Sequence, residues 1–147
     1  MSQPSHGTRV ELHHEQGYRF RVRFPGGMPE LITDEPPPLG GGAGPNPTAL
    51  LATALANCLA SSLLFCLRKQ RIETSAFETT VEVDTARNPE GRMRITGVRI
   101  DLAPEVSAAD RERMGRCLEL FETFCVVTES VRHGIPVSVG VEPRVRG

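Results

Sequence analysis

The chain has 147 residues, 39% of them apolar and 24% charged. That length sets a single domain as the first expectation and suffices to bury a core without cross-links. Seventeen basic residues face eighteen acidic ones for a net charge of −1, which argues against a nucleic-acid binder with a basic stripe and leaves no charged tail for a partner. The polar start, Met1 to Val10, has no basic segment leading into an apolar one, so the expected compartment is the cytoplasm.

Residues 8–14 (TRVELHH) and 18–24 (YRFRVRF) read as strands joined by Glu15-Gln16-Gly17. A period of two sets Tyr18, Phe20, Val22 and Phe24 on the core face and Arg19, Arg21 and Arg23 on the other, where solvation is expected. A short strand follows at 30–33. Residues 34–47 (DEPPPLGGGAGPNP) form a long loop, and a loop of that length inside a compact domain is often functional. Asp34-Glu35 within it reads as a solvated turn. The glycine run Gly40 to Gly44 lacks the G-K-[ST] ending of a phosphate-binding P-loop.

Residues 48–69 read as one helix, started by Asn46 or Pro47. Its stretch 49–67 holds 19 residues without a charge, enough for a membrane span. Thr53, Asn57, Ser61 and Ser62 within it, and amphipathic segments on either side, favour a protein core instead. A domain this small cannot surround about 33 Å of helix, so a second copy of the chain is expected to cover it, in a homodimer.

Two strands come next, 76–85 and 92–102, around the turn Arg87 to Gly91. In the second, Met93 and Ile95 are out of phase with Val98, Ile100 and Leu102, and Gly97 marks a β-bulge. Ser107 caps a helix whose apolar stripe is Met114, Cys117, Leu118, Phe121 and Cys125. Further helical turns over 125–132 end near Gly134, and 135–141 (IPVSVGV) read as a final strand. The order is β-β-β-α-β-β-α-α-β, an α+β fold in a single domain over 1–147.

The candidate chemistry lies with four cysteines, Cys58, Cys66, Cys117 and Cys125, none in a C-x-x-C pair. Eight residues, about 12 Å of helix, separate Cys58 from Cys66 and Cys117 from Cys125. Any disulfide must therefore join one helix to the other. Spacing alone leaves all four readable as small buried hydrophobes. Ser61 and Ser62 have no G-x-S-x-G around them. His13 and His14 point to opposite faces of a strand, so no metal site is expected.

Asp34-Glu35-Pro36, followed by the run GGGAGPNPTALLATALANCLASSL, resembles the OsmC/Ohr family, which includes hydroperoxide reductases. Its G-x-[NS]-P-x-x-L-L motif stands here as Gly44-Pro45-Asn46-Pro47-Thr48-Ala49-Leu50-Leu51, and the helix cysteine is Cys58. A second family motif, a cysteine opening a short helix before the last strand, resembles Cys125-Val126-Val127-Thr128-Glu129. The element order matches over nearly the whole chain. The resemblance gives Cys66 and Cys117 no role, and they stay readable as small buried hydrophobes.

The resemblance implies an intertwined OsmC-like homodimer with no bound cofactor. It implies a peroxidatic Cys58, whose sulfenic acid condenses with a resolving Cys125 to a disulfide reduced by an external dithiol, often lipoyl. The substrate implied is an organic hydroperoxide. A dimer of the same fold that binds a small apolar or electrophilic ligand without peroxidase chemistry is the alternative. Only the thiolate attacks, and an apolar mid-helix setting raises a thiol pKa, so a cation is expected at Cys58. In the family an arginine held by a glutamate serves. Here Thr48 follows Asn46-Pro47 in place of that glutamate, and Val126 stands where a proline often follows the second cysteine. Arg19 is the arginine candidate, and Glu129 is the carboxylate candidate to hold one.

Overall fold

The structure is a computed structural model and describes residues 7–147. His6 and most of the polar start lie outside the described residues. Strands β1 (Glu11–Gln16), β2 (Arg19–Arg23) and β3 (Leu31–Thr33) form an antiparallel sheet in the order β1-β2-β3. Gly17, at φ +52°, makes the left-handed turn between the first two. Val22 is buried as its alternation predicts. The arginines of β2 are not simply solvated, however. Arg21 bridges Glu15 (2.9 Å) and Glu30 (2.8 Å), and Arg23 also reaches Glu30, so cross-strand ion pairs fix the register.

Helix α1 (Pro47–Lys69) begins where the sequence places it. The Asn46 side chain accepts the Ala49 N–H at 2.9 Å, and Pro47 sits at the first helical position, where no N–H is needed. Strands β4 (Ala76–Arg87) and β5 (Met93–Glu105) pair antiparallel in a second sheet. Asp84 faces Gly97 and Thr85 faces Ile95, so Thr96 is the extra residue of the bulge expected at Gly97.

The single helix expected after Ser107 is instead three short pieces. Ser107 does cap, accepting the Asp110 N–H at 3.1 Å, but α2 stops at Ala108–Arg111. Helix α3 (Gly115–Leu120) restarts at a glycine, a poor helix former, and then tightens to a 3-10 turn over Phe121–Phe124. The Ser62 hydroxyl donates to the Phe121 carbonyl at 2.6 Å and holds that turn. Extended backbone at Cys125 ends it and starts α4 (Val126–His133).

The expected strand over 135–141 does not form. A strand exists only where a neighbouring edge takes up its ladder. Here Val137, Val139 and Val141 alternate in sequence yet are all more than four-fifths exposed.

The chain divides into two compact units, Met1–Thr53 and Ala54–Gly147, within α1. In the second unit Leu63, Leu67, Ile72, Met114 and Cys117 form the core, with Phe77, Leu102, Val106 and Phe121 packed on it. Each leucine so enclosed contributes about 1.5–3 kcal/mol relative to exposure. Of the described helices, α1 is the one long and apolar enough to cross a membrane by length and composition, and a third of that window is buried. Phe65 is 72% exposed on it.

Candidate active site around Cys58

Cys58 lies in the middle of α1, and Cys125 is the residue from which α4 springs. The first intrahelical bond of α4 runs from the Glu129 N–H to the Cys125 carbonyl. The N–H groups of Val126, Val127 and Thr128 therefore have no partner within their own helix. Together with the thiol of Cys125 they favour negative charge on the sulfur of Cys58. The Thr128 hydroxyl, itself buried, donates to the Leu55 carbonyl at 3.5 Å and ties α4 to the turn of α1 that precedes Cys58.

These contacts set the acidity of both thiols. Burial pushes the Cys58 thiol up, but the Cys125 thiol and the amides of Val127, Thr128 and Val126 together outweigh it and bring the pKa below the ordinary value. For Cys125, burial and the bond to Cys58 push the thiol up, and Thr128 offsets them only in part. One sulfur is thus prepared as a thiolate and its neighbour is kept as a hydrogen-bond donor.

The sequence predicts a cation at Cys58 because an apolar mid-helix setting raises a thiol pKa. The help comes from the N-terminus of a different helix. Its signal in the sequence is Cys125 at the start of a short helix, but no spacing rule brings that start to Cys58.

Cys58 opens onto a groove of about 690 Å³ whose walls include Phe65, Cys66, Phe121, Phe124 and Val126. The size is that of a small-molecule site, and the walls are mostly apolar. Cys66 and Cys117, readable from spacing as buried hydrophobes, are instead joined as a disulfide with Cα atoms 5.7 Å apart. It links α1 to α3, as any bridge in this chain must link one helix to another. Cys58 and Cys125 remain free thiols.

Glu129 and Arg19 are both partly buried. Glu129 accepts from Arg132 at 2.6 Å, Arg132 also reaches Glu122 at 2.7 Å, and His133 lies 3.5 Å from Glu129. The carboxylate therefore does hold an arginine, though one on its own helix. Arg19 is half-buried rather than solvated, and its Nε is enclosed without a hydrogen-bond partner among the described residues.

The loop leading to α1 is also more ordered than a solvated turn. Asp34 is buried and accepts the N–H groups of Glu35 (2.8 Å) and Ala43 (3.1 Å). The Ala43 amide is the main reason its carboxyl lies below the usual range, with Glu35, Gly41 and the charge of Arg19 assisting against burial. A side chain at Gly40 would strike the Glu35 carbonyl and the Asp34 carboxylate, and one at Gly44 would strike the Ile32 carbonyl. The glycine run thus serves close packing around Asp34.

Residues 40–140 match a family described as OsmC-like protein. Among solved structures, an OsmC-like protein of unknown function from Vibrio cholerae is 16% identical, with 86% of this chain and 94% of that one covered and a TM-score of 0.70. An organic hydroperoxide resistance protein from Legionella pneumophila is 21% identical over 88% of this chain and 92% of that one, with a TM-score of 0.64. One from Elizabethkingia anophelis, with thiocyanate bound, is 20% identical over 89% and 91%, with a TM-score of 0.62. These structures share the α+β fold. No curated protein matches the sequence at a significant level.

Proposed function

Since the chain belongs to the OsmC-like family, we propose that it is a cysteine-based thiol peroxidase that reduces organic hydroperoxides to alcohols in defence against oxidative stress. The observation that carries this reading is that the amides at the start of α4 and the Cys125 thiol bring the Cys58 thiol below its ordinary pKa, at the wall of an apolar groove. A thiolate so favoured is the nucleophile, and the second thiol beside it is the resolving group.

In the reaction Cys58 thiolate attacks the distal oxygen of the hydroperoxide. The O–O bond breaks, the alkoxide leaves and takes up a proton as alcohol, and Cys58 becomes a sulfenic acid. Cys125 then attacks that sulfur, water departs, and a Cys58–Cys125 disulfide forms. A dithiol such as a lipoyl group restores both thiols by exchange. The amides of Val126, Val127 and Thr128 stabilise the sulfur whenever it carries negative charge. The apolar groove accommodates the organic part of the substrate. Arg19 is proposed as an auxiliary cation, and Glu129 as the group that fixes Arg132 on α4.

The working form in this reading is a cytoplasmic homodimer. The uncovered face of α1 and the unpaired alternation of 135–141 are what a second copy would cover and extend. Light scattering should then give twice the chain mass of 16.1 kDa.

Hydroperoxide turnover coupled to a dithiol tests the chemistry. The native protein is expected to turn over cumene hydroperoxide, and Cys58→Ser to lose that activity. No turnover by the native protein, together with binding of small apolar ligands that Cys58→Ser retains, would favour the ligand-binding dimer instead.

A further inference from the structure

The proposed chemistry uses Cys58 and Cys125 and leaves the Cys66–Cys117 disulfide without a task. We infer that this disulfide is a second thiol–disulfide exchange centre, opening onto the same groove as Cys58, with Cys66 as the sulfur attacked by a small dithiol. The inference does not depend on peroxidase activity at Cys58.

The two sulfurs of the bond are placed differently. Cys117 is completely enclosed, in the core with Leu63, Leu67, Ile72 and Met114. Cys66 is only partly buried and forms part of the groove wall two turns along α1 from Cys58. A nucleophile in the groove therefore meets Cys66, and the sulfur that departs is Cys117. Lys69 and Arg116 line the groove as well, each close in sequence to one of the two cysteines, so an attacking thiolate arrives beside cationic side chains. Exchange rates follow access and the thiolate fraction of the attacker, and the groove meets the first condition for Cys66 alone.

The step balances with one dithiol. Its first thiolate attacks the Cys66 sulfur, the Cys66–Cys117 bond breaks, and Cys117 leaves with the electron pair. Cys117 takes up a proton equivalent to the one the dithiol released. The second thiol of the reductant then displaces Cys66, giving a cyclic disulfide and two protein thiols. Two electrons pass from the dithiol to the protein. Reduction cuts the one covalent cross-link between α1 and α3, other than the main chain, among the described residues, and α3 leads through one 3-10 turn to Cys125.

A full-length Cys58→Ser/Cys125→Ser variant isolates this centre from peroxidase chemistry. It is held without hydroperoxide or denaturant, treated with 2-mercaptoethanol, quenched in acid and mapped by peptide mass. The mixed disulfide is expected on Cys66 and not on Cys117, and dithiothreitol should release two thiols per chain from the folded protein. A bulky maleimide on Cys58 of the single variant Cys125→Ser should slow that reduction several-fold, because it occupies the shared groove. Should the double variant fail to fold, native protein with both free thiols carbamidomethylated gives the same readout. A mixed disulfide on Cys117 or on both cysteines, or reduction only at denaturant concentrations that unfold the chain, would overturn the inference and leave the bond a structural staple.

Discussion

Cys125 lowers the pKa of the Cys58 thiol while Cys58 raises that of Cys125, so the two acidities move in opposite directions. Pairs of titratable groups pushed apart in this way are how a site assigns the roles of nucleophile and proton donor. Because the Cys58 pKa is lowered, its thiolate fraction at neutral pH exceeds that of an unperturbed cysteine. The rate of alkylation by iodoacetamide against pH should therefore show its inflection for Cys58 below that of the unfolded chain's thiols. In Cys125→Ala the sulfur loses a donor, and the inflection should move upward. An unmoved inflection would mean that the amides alone hold the thiolate.

Val126→Pro removes one of those amides. Proline is tolerated at the first position of a helix, where the N–H has no intrahelical partner. The variant should fold normally by circular dichroism, and the Cys58 inflection should shift upward. The shift should be smaller than in Cys125→Ala, because the Val126 amide contributes least of the donors named.

Stability should divide sharply between the core and the ion pairs of α4. Leu67 is fully buried, and Leu67→Ala should cost about 2–5 kcal/mol in urea unfolding. Arg132 is half exposed although it bridges Glu122 and Glu129. Arg132→Met should therefore cost no more than about 1 kcal/mol. A pH profile of Cys58 alkylation unchanged in Arg132→Met would confine the Glu129–Arg132 pair to a structural role.

Asp34 should shape the acid limb of stability. Its pKa is lowered in the folded state. Its contribution is thus complete above the unfolded carboxyl value, about 3.9, and is lost as pH falls through the folded value. Asp34→Asn should lower the urea midpoint at pH 7 and flatten its fall between neutral and acid pH. An acid limb identical to the native one would mean that other carboxylates govern it.

Much of the fold could be read from local pattern. Alternation located the strands, the slip of phase at Gly97 located the bulge, and Asn46 and Ser107 marked their helix starts. These signals act over a few residues and survive in a single sequence. The features missed depend on residues far apart in the chain. The unpaired amides of α4 can be inferred from Cys125 onward, but their meeting with Cys58 is tertiary. Each eight-residue step, Cys58 to Cys66 and Cys117 to Cys125, joins one free cysteine to one bonded one, so spacing could not choose the pair. Asp34 sits among prolines and glycines that look like a solvated turn, and its burial comes from the amides that those glycines let approach. Residues 135–141 carry a strand pattern without a paired edge in the chain, and pattern alone cannot supply the edge.

The most direct measurement is peptide mapping of the native protein, with Cys58 and Cys125 reduced, after one equivalent of cumene hydroperoxide. A new Cys58–Cys125 disulfide should appear in near-stoichiometric yield with Cys66–Cys117 intact, and Cys125→Ser should instead stop at a Cys58 sulfenic acid that dimedone traps. Both thiols left free, with the hydroperoxide unconsumed, would contradict the assignment of Cys58 as a peroxidatic nucleophile.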